Sequence, residues 1–286
     1  MRLFQKNCPL AKYSTFGIGG PAKFFTEAET IEELQEILRH CHKENLPYLV
    51  IGKGSNSLFH DRGFNGLVIL NKISFCEFGE DQAYVGAGYS FSLLGSQTAR
   101  KGFGGLEFAS GIPGTVGGAV FMNAGAGGAE VCDVLKEVTA IDERGERHIL
   151  QREELAFSYR FSSFHEKPLV IAAATFRLTP SEAARKKQLG IIDRRTKSQP
   201  YSDKSCGCVF RNPEGNPAGA LIEECGLKGK KLGGAEVSTL HANFIVNKEG
   251  ATAEEVLQLA DDVKECVKEK TGVRLEMELR SIPYEK

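Results

Sequence analysis

The fold of this chain is decided by residues 108–128, which read FASGIPGTVGGAVFMNAGAGG. Ten glycines fall between Gly102 and Gly128, among apolar residues of the kind that proteins bury. Glycine allows positive φ angles and lets another molecule approach bare N–H groups, which is how proteins hold phosphate groups without many cationic side chains. The residues from Val116 to Met122 predict a packed apolar element that fixes the loop before it. The stretch therefore indicates a loop that holds a phosphate-bearing ligand, with a set of tight turns as the alternative.

A second glycine loop lies upstream. The run YLVI at 48–51 predicts a short buried strand, and it leads directly into GKGSNS at 52–57. The sixth position of this loop is Ser57 rather than glycine, and no clear helix pattern follows, so the loop is not a Rossmann fingerprint. The P-loop pattern GxxxxGK[ST] does not occur in the sequence. These features disfavour both an NAD-dependent dehydrogenase fold and a P-loop NTPase.

The two loops together resemble the FAD-pyrophosphate loops of flavoproteins related to p-cresol methylhydroxylase and vanillyl-alcohol oxidase. Within that group the chain is most similar to the UDP-N-acetylenolpyruvoylglucosamine reductase family of bacterial peptidoglycan synthesis. Four further segments carry this resemblance, in one order along nearly the whole chain: TFGIGG at 15–20, SYRFSSF at 158–164, GCVFRNP at 207–213 and LEMELRSI at 275–282.

Local signals predict the main helices and strands. TIEE at 30–33 and TAEE at 252–255 are capping boxes, Gly272 ends the second of these helices, and Pro217 predicts the first position of a helix over 218–225. Predicted strands lie at 134–142, 146–150, 169–178, 243–247 and 273–282, and residues 180–199 predict a polar, helix-prone connector. Mixed helices and strands without regular βαβ alternation predict an α+β fold.

The domain organisation follows from this pattern and from the resemblance. We expect a two-part FAD-binding module of the vanillyl-alcohol oxidase type, made of residues 1–73 and 74–179, and a C-terminal α+β substrate-binding domain over 195–272. The resemblance implies that segment 273–286 returns from the third domain to the first.

The resemblance also implies an activity. It is the NADPH-dependent reduction of UDP-N-acetylglucosamine enolpyruvate to UDP-N-acetylmuramate, with hydride delivered from flavin N5 and a proton then added to the substrate carbanion. That carbanion is stabilised as an enolate, so the site needs cationic groups on the carboxylate and a placed proton donor. The implied catalytic residues are Arg160 on the carboxylate, Cys208 as the proton donor and Glu278 polarising the substrate. From the residues alone, Arg160 suits a surface position and Glu278, with Glu276, suits a solvated strand face.

Cys208 is a departure from the family, whose motif carries serine at this position. A thiol, with a usual pKa near 8.5, is mostly protonated at neutral pH and is a stronger acid than a hydroxyl. The exchange is therefore conservative for a proton donor, although a buried structural cysteine is the alternative.

The remaining site residues are assigned by resemblance. FAD, bound non-covalently, is expected to contact residues of the two glycine loops and two positions beyond them: Gly52, Lys53, Gly54, Ser55, Asn56, Ser57, Ser110, Gly111, Pro113, Gly114, Thr115, Gly118, Asn123 and Val170. The substrate is expected to contact Tyr159, Asn212, Lys231, His241 and Asn243, and the last four, in the third domain, are the candidates for holding its diphosphate and uridine.

Composition bounds the class of protein. The chain has 286 residues, 36 Lys and Arg against 37 Asp and Glu, and a formal net charge of −1, which offers no track for nucleic acid. Apolar runs such as 169–176 are too short to span a bilayer, and residues 1–6 lack a signal-peptide pattern, so we expect a cytoplasmic protein without membrane or obligate protein partners. Eight dispersed cysteines predict thiols rather than disulfides. The pair Cys206 and Cys208 has no partners at ligand spacing, so no metal is expected.

Two other functions stay open at this point. One is an FAD-dependent oxidase of the same superfamily; many such oxidases attach the flavin through His or Cys, and neither loop contains either residue. The other is a non-catalytic protein that binds nucleotide sugars.

Overall fold

The computed structural model describes residues 4–285, so the outer limits of the predicted first domain and of the C-terminal segment, and half of the N-terminal stretch 1–6, lie outside it. The helices are α1 (Ile31–Lys43), α2 (Phe91–Arg100), α3 (Val116–Phe121), α4 (Val131–Val134), α5 (Ala184–Ser198), α6 (Ala218–Glu224) and α7 (Ala253–Thr271). Short 3₁₀ helices lie at Leu10–Tyr13, Glu107–Ala109, Arg152–Glu154 and Ser163–His165.

The strands are short and many. They are β1 (Gln5–Pro9), β2 (Pro21–Ala28), β3 (Tyr48–Ile51), β4 (Ser57–Phe59), β5 (Phe64–Asn71), β6 (Cys76–Phe78), β7 (Gln82–Gly86), β8 (Phe103–Gly104), β9 (Gly125–Ala126), β10 (Ala129–Glu130), β11 (Leu135–Asp142), β12 (Arg147–Gln151), β13 (Phe157–Ser158), β14 (Phe161–Ser162), β15 (Leu169–Arg177), β16 (Thr179–Pro180), β17 (Lys204–Ser205), β18 (Lys231–Leu232), β19 (Ala235–Val237), β20 (Ile245–Asn247) and β21 (Arg280–Ile282).

The chain divides into two compact units. Unit 1 comprises Met1–Phe24, Lys53–Gly66 and Thr196–Lys286, and unit 2 comprises Phe25–Gly52 and Leu67–Arg195. The predicted division into three domains is a different partition of the chain and stays a prediction.

Unit 2 is built on a five-stranded antiparallel sheet with the order β12-β11-β15-β7-β6. Its core contains apolar residues of this sheet and of α2 and α3, among them Val85, Leu94, Val120 and Phe176. Strand β3 pairs in parallel with residues 67–70 of β5, so the strand predicted before the first glycine loop is present. The Arg160 segment forms the separate hairpin β13-β14, and β15 of the five-stranded sheet follows it along the chain after the 3₁₀ helix Ser163–His165.

Unit 1 contains the four-stranded antiparallel sheet β17-β20-β19-β18, with α6 and α7 contributing to its core. Strand β21 pairs in parallel with β4, which brings the C-terminal segment onto the residues that follow the first glycine loop. Helix α7 begins as predicted: Thr252 Oγ1 accepts from Glu255 N at 3.1 Å, and Glu255 Oε2 accepts from Thr252 N at 3.0 Å. Gly272, with φ 74°, ends it.

Two predicted elements differ from the structure. Pro217 is the N-cap residue of α6 in an extended conformation, so the helix begins at Ala218 rather than at the proline. The predicted strand over 273–282 is a strand only at 280–282. Before it, both Glu278 N and Leu279 N donate to Val209 O, at 2.8 and 3.2 Å, and this doubled pairing interrupts a regular ladder in the manner of a bulge.

The α+β class is confirmed by this mixture of elements. None of the eight cysteines forms a disulfide, as predicted.

Candidate functional site

The second glycine loop is held in place by backbone hydrogen bonds within unit 2. Phe91 N donates to Gly114 O at 3.3 Å, and Val116 N donates to Tyr89 O at 2.9 Å, so the loop is tied to the connection between β7 and α2. Gly111 and Gly114 have φ angles of 82° and 129°, which favour glycine. The loop geometry is therefore fixed by the chain itself.

Two features of this loop are not explained by contacts within the described chain. The Ser110 side chain is fully buried, and its Oγ has no hydrogen-bond partner among the described residues; a buried hydroxyl without a partner is costly. Gly118 lies exposed in α3, and a Cβ there would meet only Thr115 Oγ1, at 3.6 Å. Alanine would favour the helix more than glycine does, so packing within the chain does not explain this glycine. The exposed Gly118 fits a phosphate-bearing ligand lying against the loop, whereas the Ser110 hydroxyl has no accessible surface and lies next to Gly95 of α2.

Gly52, at the end of β3, lies against the same loop in unit 2. A Cβ on Gly52 would approach Thr115 Oγ1 to 2.4 Å, which no real side chain allows. Arg195, near the end of α5, also contacts the loop, because its Nε donates to Gly111 O at 3.2 Å. Sequence reasoning missed Arg195, which stands in a charged helix without a motif of its own.

The rest of the first glycine loop lies in unit 1. Gly54 has a φ of 61°, and a Cβ there would lie 2.2 Å from Tyr13 O. Thr15 Oγ1 donates to Gly54 O at 3.5 Å, so the TFGIGG segment packs on this loop. Close packing of backbone on backbone explains why glycine occupies position 54.

Unit 1 also brings the first loop together with two predicted catalytic residues. Asn56 Nδ2 donates to Glu278 O at 3.1 Å, and Arg280 N donates to Asn56 O at 3.2 Å. The Glu278 N–H donates to Val209 O, next to Cys208. The loop, Cys208 and Glu278 are therefore neighbours, although 222 positions separate Asn56 from Glu278.

Glu276 and Glu278 differ in their exposure. The Glu276 side chain is 77 % exposed, and its Oε2 lies 3.8 Å from Arg211 Nη1. Glu278 is half-buried. Met277 between them forms an antiparallel bridge with Phe210, with Arg211 N donating to Glu276 O and Glu278 N donating to Val209 O, and the shared face of the two glutamates stays a prediction.

Cys208 is distinguished from Cys206 by its exposure. Cys206 is buried, and burial raises the pKa of its thiol well above the usual range, so it stays protonated. Gly207 between them has a φ of 81°. Cys208 is half-buried, which suits a group that meets a substrate.

Three predicted substrate residues lie around the Cys208 segment in unit 1. Asn243 is buried, and its amide bonds both backbone groups of Phe210, with Oδ1 accepting at 2.9 Å and Nδ2 donating at 2.8 Å. Asn212 Oδ1 accepts from Ala218 N at 2.9 Å. His241 Nδ1 accepts from Asn243 N at 3.3 Å. Asn243 therefore fixes the backbone just after Cys208, while Asn212 bonds the start of α6 and His241 bonds the backbone of Asn243.

Lys231 is placed differently. It lies on the edge strand β18, with Nζ 3.3 Å from Glu236 Oε2, so its charge already has a partner in the chain.

Arg160 lies in unit 2, in the two-residue turn that joins β13 to β14. Its φ is 56°, a conformation that costs a non-glycine residue about 1–2 kcal/mol. Its Nη2 donates to Gly125 O at 3.2 Å, and its guanidinium lies 4.7 Å from the Tyr159 ring centroid. Strained residues that persist are concentrated at functional sites.

Asn123 and Val170 were predicted to contact the cofactor. Val170 is a buried residue of β15. Asn123 is fully buried, and both N–H groups of its amide are used within the protein, by Glu130 Oε2 and Ser158 O. Their contact with the cofactor stays a prediction.

Comparison with known proteins agrees with the geometry of the two loops. Residues 22–151 match the family model described as an FAD binding domain, so the chain is a flavoprotein of that class. Residues 199–282 match the model of the UDP-N-acetylenolpyruvoylglucosamine reductase C-terminal domain. The chain belongs to the UDP-N-acetylenolpyruvoylglucosamine reductase family and is an FAD-dependent oxidoreductase.

The similarity extends over almost the whole chain. A reductase of this name from Protochlamydia amoebophila is 57% identical over 283 residues, covering 99% of this chain and 95% of the relative. One from Chlamydia muridarum is 49% identical, covering 98% and 95%. The crystal structure of UDP-N-acetylenolpyruvylglucosamine reductase from Thermus caldophilus matches with a TM-score of 0.85 at 38% identity, covering 98% of this chain and all of that one.

Within residues 4–285, no helix combines the length and the apolar character needed to cross a membrane.

Proposed function

We propose that this chain reduces UDP-N-acetylglucosamine enolpyruvate to UDP-N-acetylmuramate with NADPH as co-substrate, in the cytoplasmic synthesis of peptidoglycan precursors. The observation that carries the proposal is the convergence of Cys208, Glu278 and the first glycine loop in a chain of this reductase family. The substrate's own chemistry then assigns the roles of the residues.

The residues of the two glycine loops fit FAD. The exposed Gly118 leaves the backbone of α3 open to the close approach that a pyrophosphate requires. Neither loop contains His or Cys, so the proposed binding is non-covalent. A bound FAD would supply the hydride chemistry that links oxidation of NADPH to reduction of the enolpyruvyl group at its terminal carbon.

Arg160 binds the enolpyruvyl carboxylate in this proposal. As hydride arrives at one carbon, negative charge gathers on the two carboxylate oxygens of the resulting enolate. A guanidinium presents two parallel N–H groups to such a pair of oxygens and stays charged at every working pH. The charge is therefore stabilised where it develops.

Cys208 then gives its thiol proton to the neighbouring carbon, which completes the saturated product. The resulting thiolate takes a proton from solvent before the next turnover. Glu278 lies beside the Cys208 segment and polarises the substrate. The nucleotide-sugar part of the substrate is bound by four further residues, Tyr159, Asn212, His241 and Asn243. Lys231 binds the diphosphate in this proposal, and the diphosphate would then have to displace the Glu236 carboxylate from the Lys231 ammonium group.

The product of the reaction tests the proposal. The purified enzyme is incubated with NADPH and UDP-N-acetylglucosamine enolpyruvate, and the nucleotide sugar is analysed by mass spectrometry. We expect a product two hydrogen masses heavier than the substrate, formed in step with NADPH oxidation. NADPH oxidation that consumes oxygen and leaves the nucleotide sugar unchanged would identify an oxidase instead.

A further inference from the structure

The turn that carries Arg160 needs external support. In a two-residue turn with a positive φ only at the second central position, glycine or asparagine is the favoured residue there. Arg160 occupies this position with a φ of 56°. A conformation of this kind persists only where surrounding contacts determine it.

Asn123 supplies the contact on one side of the turn. Its Nδ2 donates to Ser158 O, the residue just before the turn, at 3.0 Å, and to Glu130 Oε2 at 2.8 Å. Its Oδ1 accepts from Cys132 N at 3.0 Å. A fully buried amide thus ties strand β13 to the segment that contains α4.

Residues 121–125 also contact the hairpin on the far side of the Arg160 turn. Ser162, just after the turn, is buried, and its Oγ donates to Phe121 O at 2.6 Å. Arg160 itself donates to Gly125 O at 3.2 Å. Residues 121–125 therefore contact the hairpin before, within and after the turn.

We propose that Asn123 is a positioning residue for Arg160. It holds the turn so that the guanidinium meets the substrate carboxylate, and it does so through Ser158 rather than by contact with the cofactor, since both of its N–H groups are used within the protein. The inference rests on the role given to Arg160 in the proposed function.

Asn123→Asp tests the inference with an isosteric change. One carboxylate oxygen still accepts from Cys132 N, while the other replaces Nδ2 and faces the Ser158 carbonyl and the Glu130 carboxylate, which repel it. Asn123 has a φ of 43°, and the matched control Asn45→Asp makes the same change at another asparagine of unit 2 with a positive φ, 50°. FAD content, flavin reduction by NADPH and flavin reoxidation by the enolpyruvyl substrate are measured for each variant.

We expect Asn123→Asp to slow reoxidation by about 10- to 100-fold, the effect of displacing a group by about 1 Å, with FAD content and reduction unchanged. Arg160→Ala should slow reoxidation at least as much, and adding Asn123→Asp to it should change the rate by less than about twofold, because two residues that act through one contact are not additive. Asn45→Asp should behave as the native enzyme.

Each other outcome overturns the inference. Loss of FAD from Asn123→Asp would show that Asn123 contacts the cofactor. If the double variant slows reoxidation by the product of the two single-variant factors, Asn123 acts independently of Arg160. If flavin reoxidation is slow in Arg160→Ala but at the native rate in Asn123→Asp, only the inference about Asn123 is refuted. If reoxidation is at the native rate in Arg160→Ala, the proposed role of Arg160 is refuted as well. If Asn123→Asp does not fold, Asn123→Gly is used instead, because glycine accepts the positive φ and adds no charge. Reoxidation at the native rate in Asn123→Gly would also overturn the inference.

Discussion

The substitution Gly118→Ala should change the stability of the apoenzyme and its affinity for FAD in opposite directions. Gly118 is an exposed glycine inside α3, and an added Cβ would touch only Thr115 Oγ1 at an ordinary 3.6 Å. Alanine is favoured over glycine in helices by up to about 1 kcal/mol. The apoenzyme should therefore become more stable, with a melting temperature higher by about 2 °C for a chain of this size.

FAD affinity should change in the opposite direction. If the pyrophosphate packs on the backbone at Gly118, a methyl group there overpacks the contact at a cost of about 1–3 kcal/mol. The dissociation constant should then rise by about 5- to 150-fold. The assay is titration of apoenzyme with FAD, followed by the change in flavin fluorescence, together with thermal unfolding of the apoenzyme.

Gly190→Ala is the matched control. Gly190 lies inside α5, and a Cβ there would meet no atom within 4 Å. It should give the same gain in apoenzyme stability with native FAD affinity. The reasoning is refuted if Gly118→Ala binds FAD as tightly as Gly190→Ala does, or if Gly118→Ala destabilises the apoenzyme.

Three further predictions concern the cofactor and the two catalytic side chains. Acid precipitation should leave a yellow supernatant, since FAD is held without a covalent bond; a yellow pellet would contradict this. Arg160→Lys should slow flavin reoxidation by substrate much more than reduction by NADPH, because an ammonium replaces a two-pronged guanidinium; equal slowing of both steps would argue against a dedicated carboxylate contact. Cys208→Ala should still be reduced by NADPH but turn over very slowly, because it lacks the proton donor. Cys208→Ser should keep substantial activity and resist the thiol reagents that inactivate the native enzyme. Near-native turnover of Cys208→Ala would show that another group supplies the proton.

The sequence predicted the features that depend on neighbouring residues. The capping box at Thr252 is complete, whereas at Thr30 the threonine Oγ1 accepts from Glu33 N and Glu33 Oε2 accepts from Glu29 N; both helices begin where the pattern indicated. The glycine loops were found for the same reason, because positive φ angles and close backbone approach restrict the residue at that position. Their order along the chain also carried the family resemblance.

The sequence did not predict features that depend on distant residues. Segment 273–279 alternates like a strand, but two of its N–H groups share Val209 O, and nothing local indicates that pairing. The role of Asn123 depends on Ser158, 35 positions away, and Arg195 reaches Gly111 across 84 positions. Such contacts are set by tertiary packing, which a local pattern does not contain.

The central claim is that one flavin passes electrons from NADPH to an enolpyruvyl group. Under anaerobic conditions, NADPH should bleach the visible flavin absorbance of the purified holoenzyme. One equivalent of UDP-N-acetylglucosamine enolpyruvate should then restore the absorbance, while UDP-N-acetylglucosamine, which lacks the enolpyruvyl group, should leave the flavin bleached. A reduced flavin that regains its colour only when oxygen is admitted, and not with the enolpyruvyl substrate, would contradict the account.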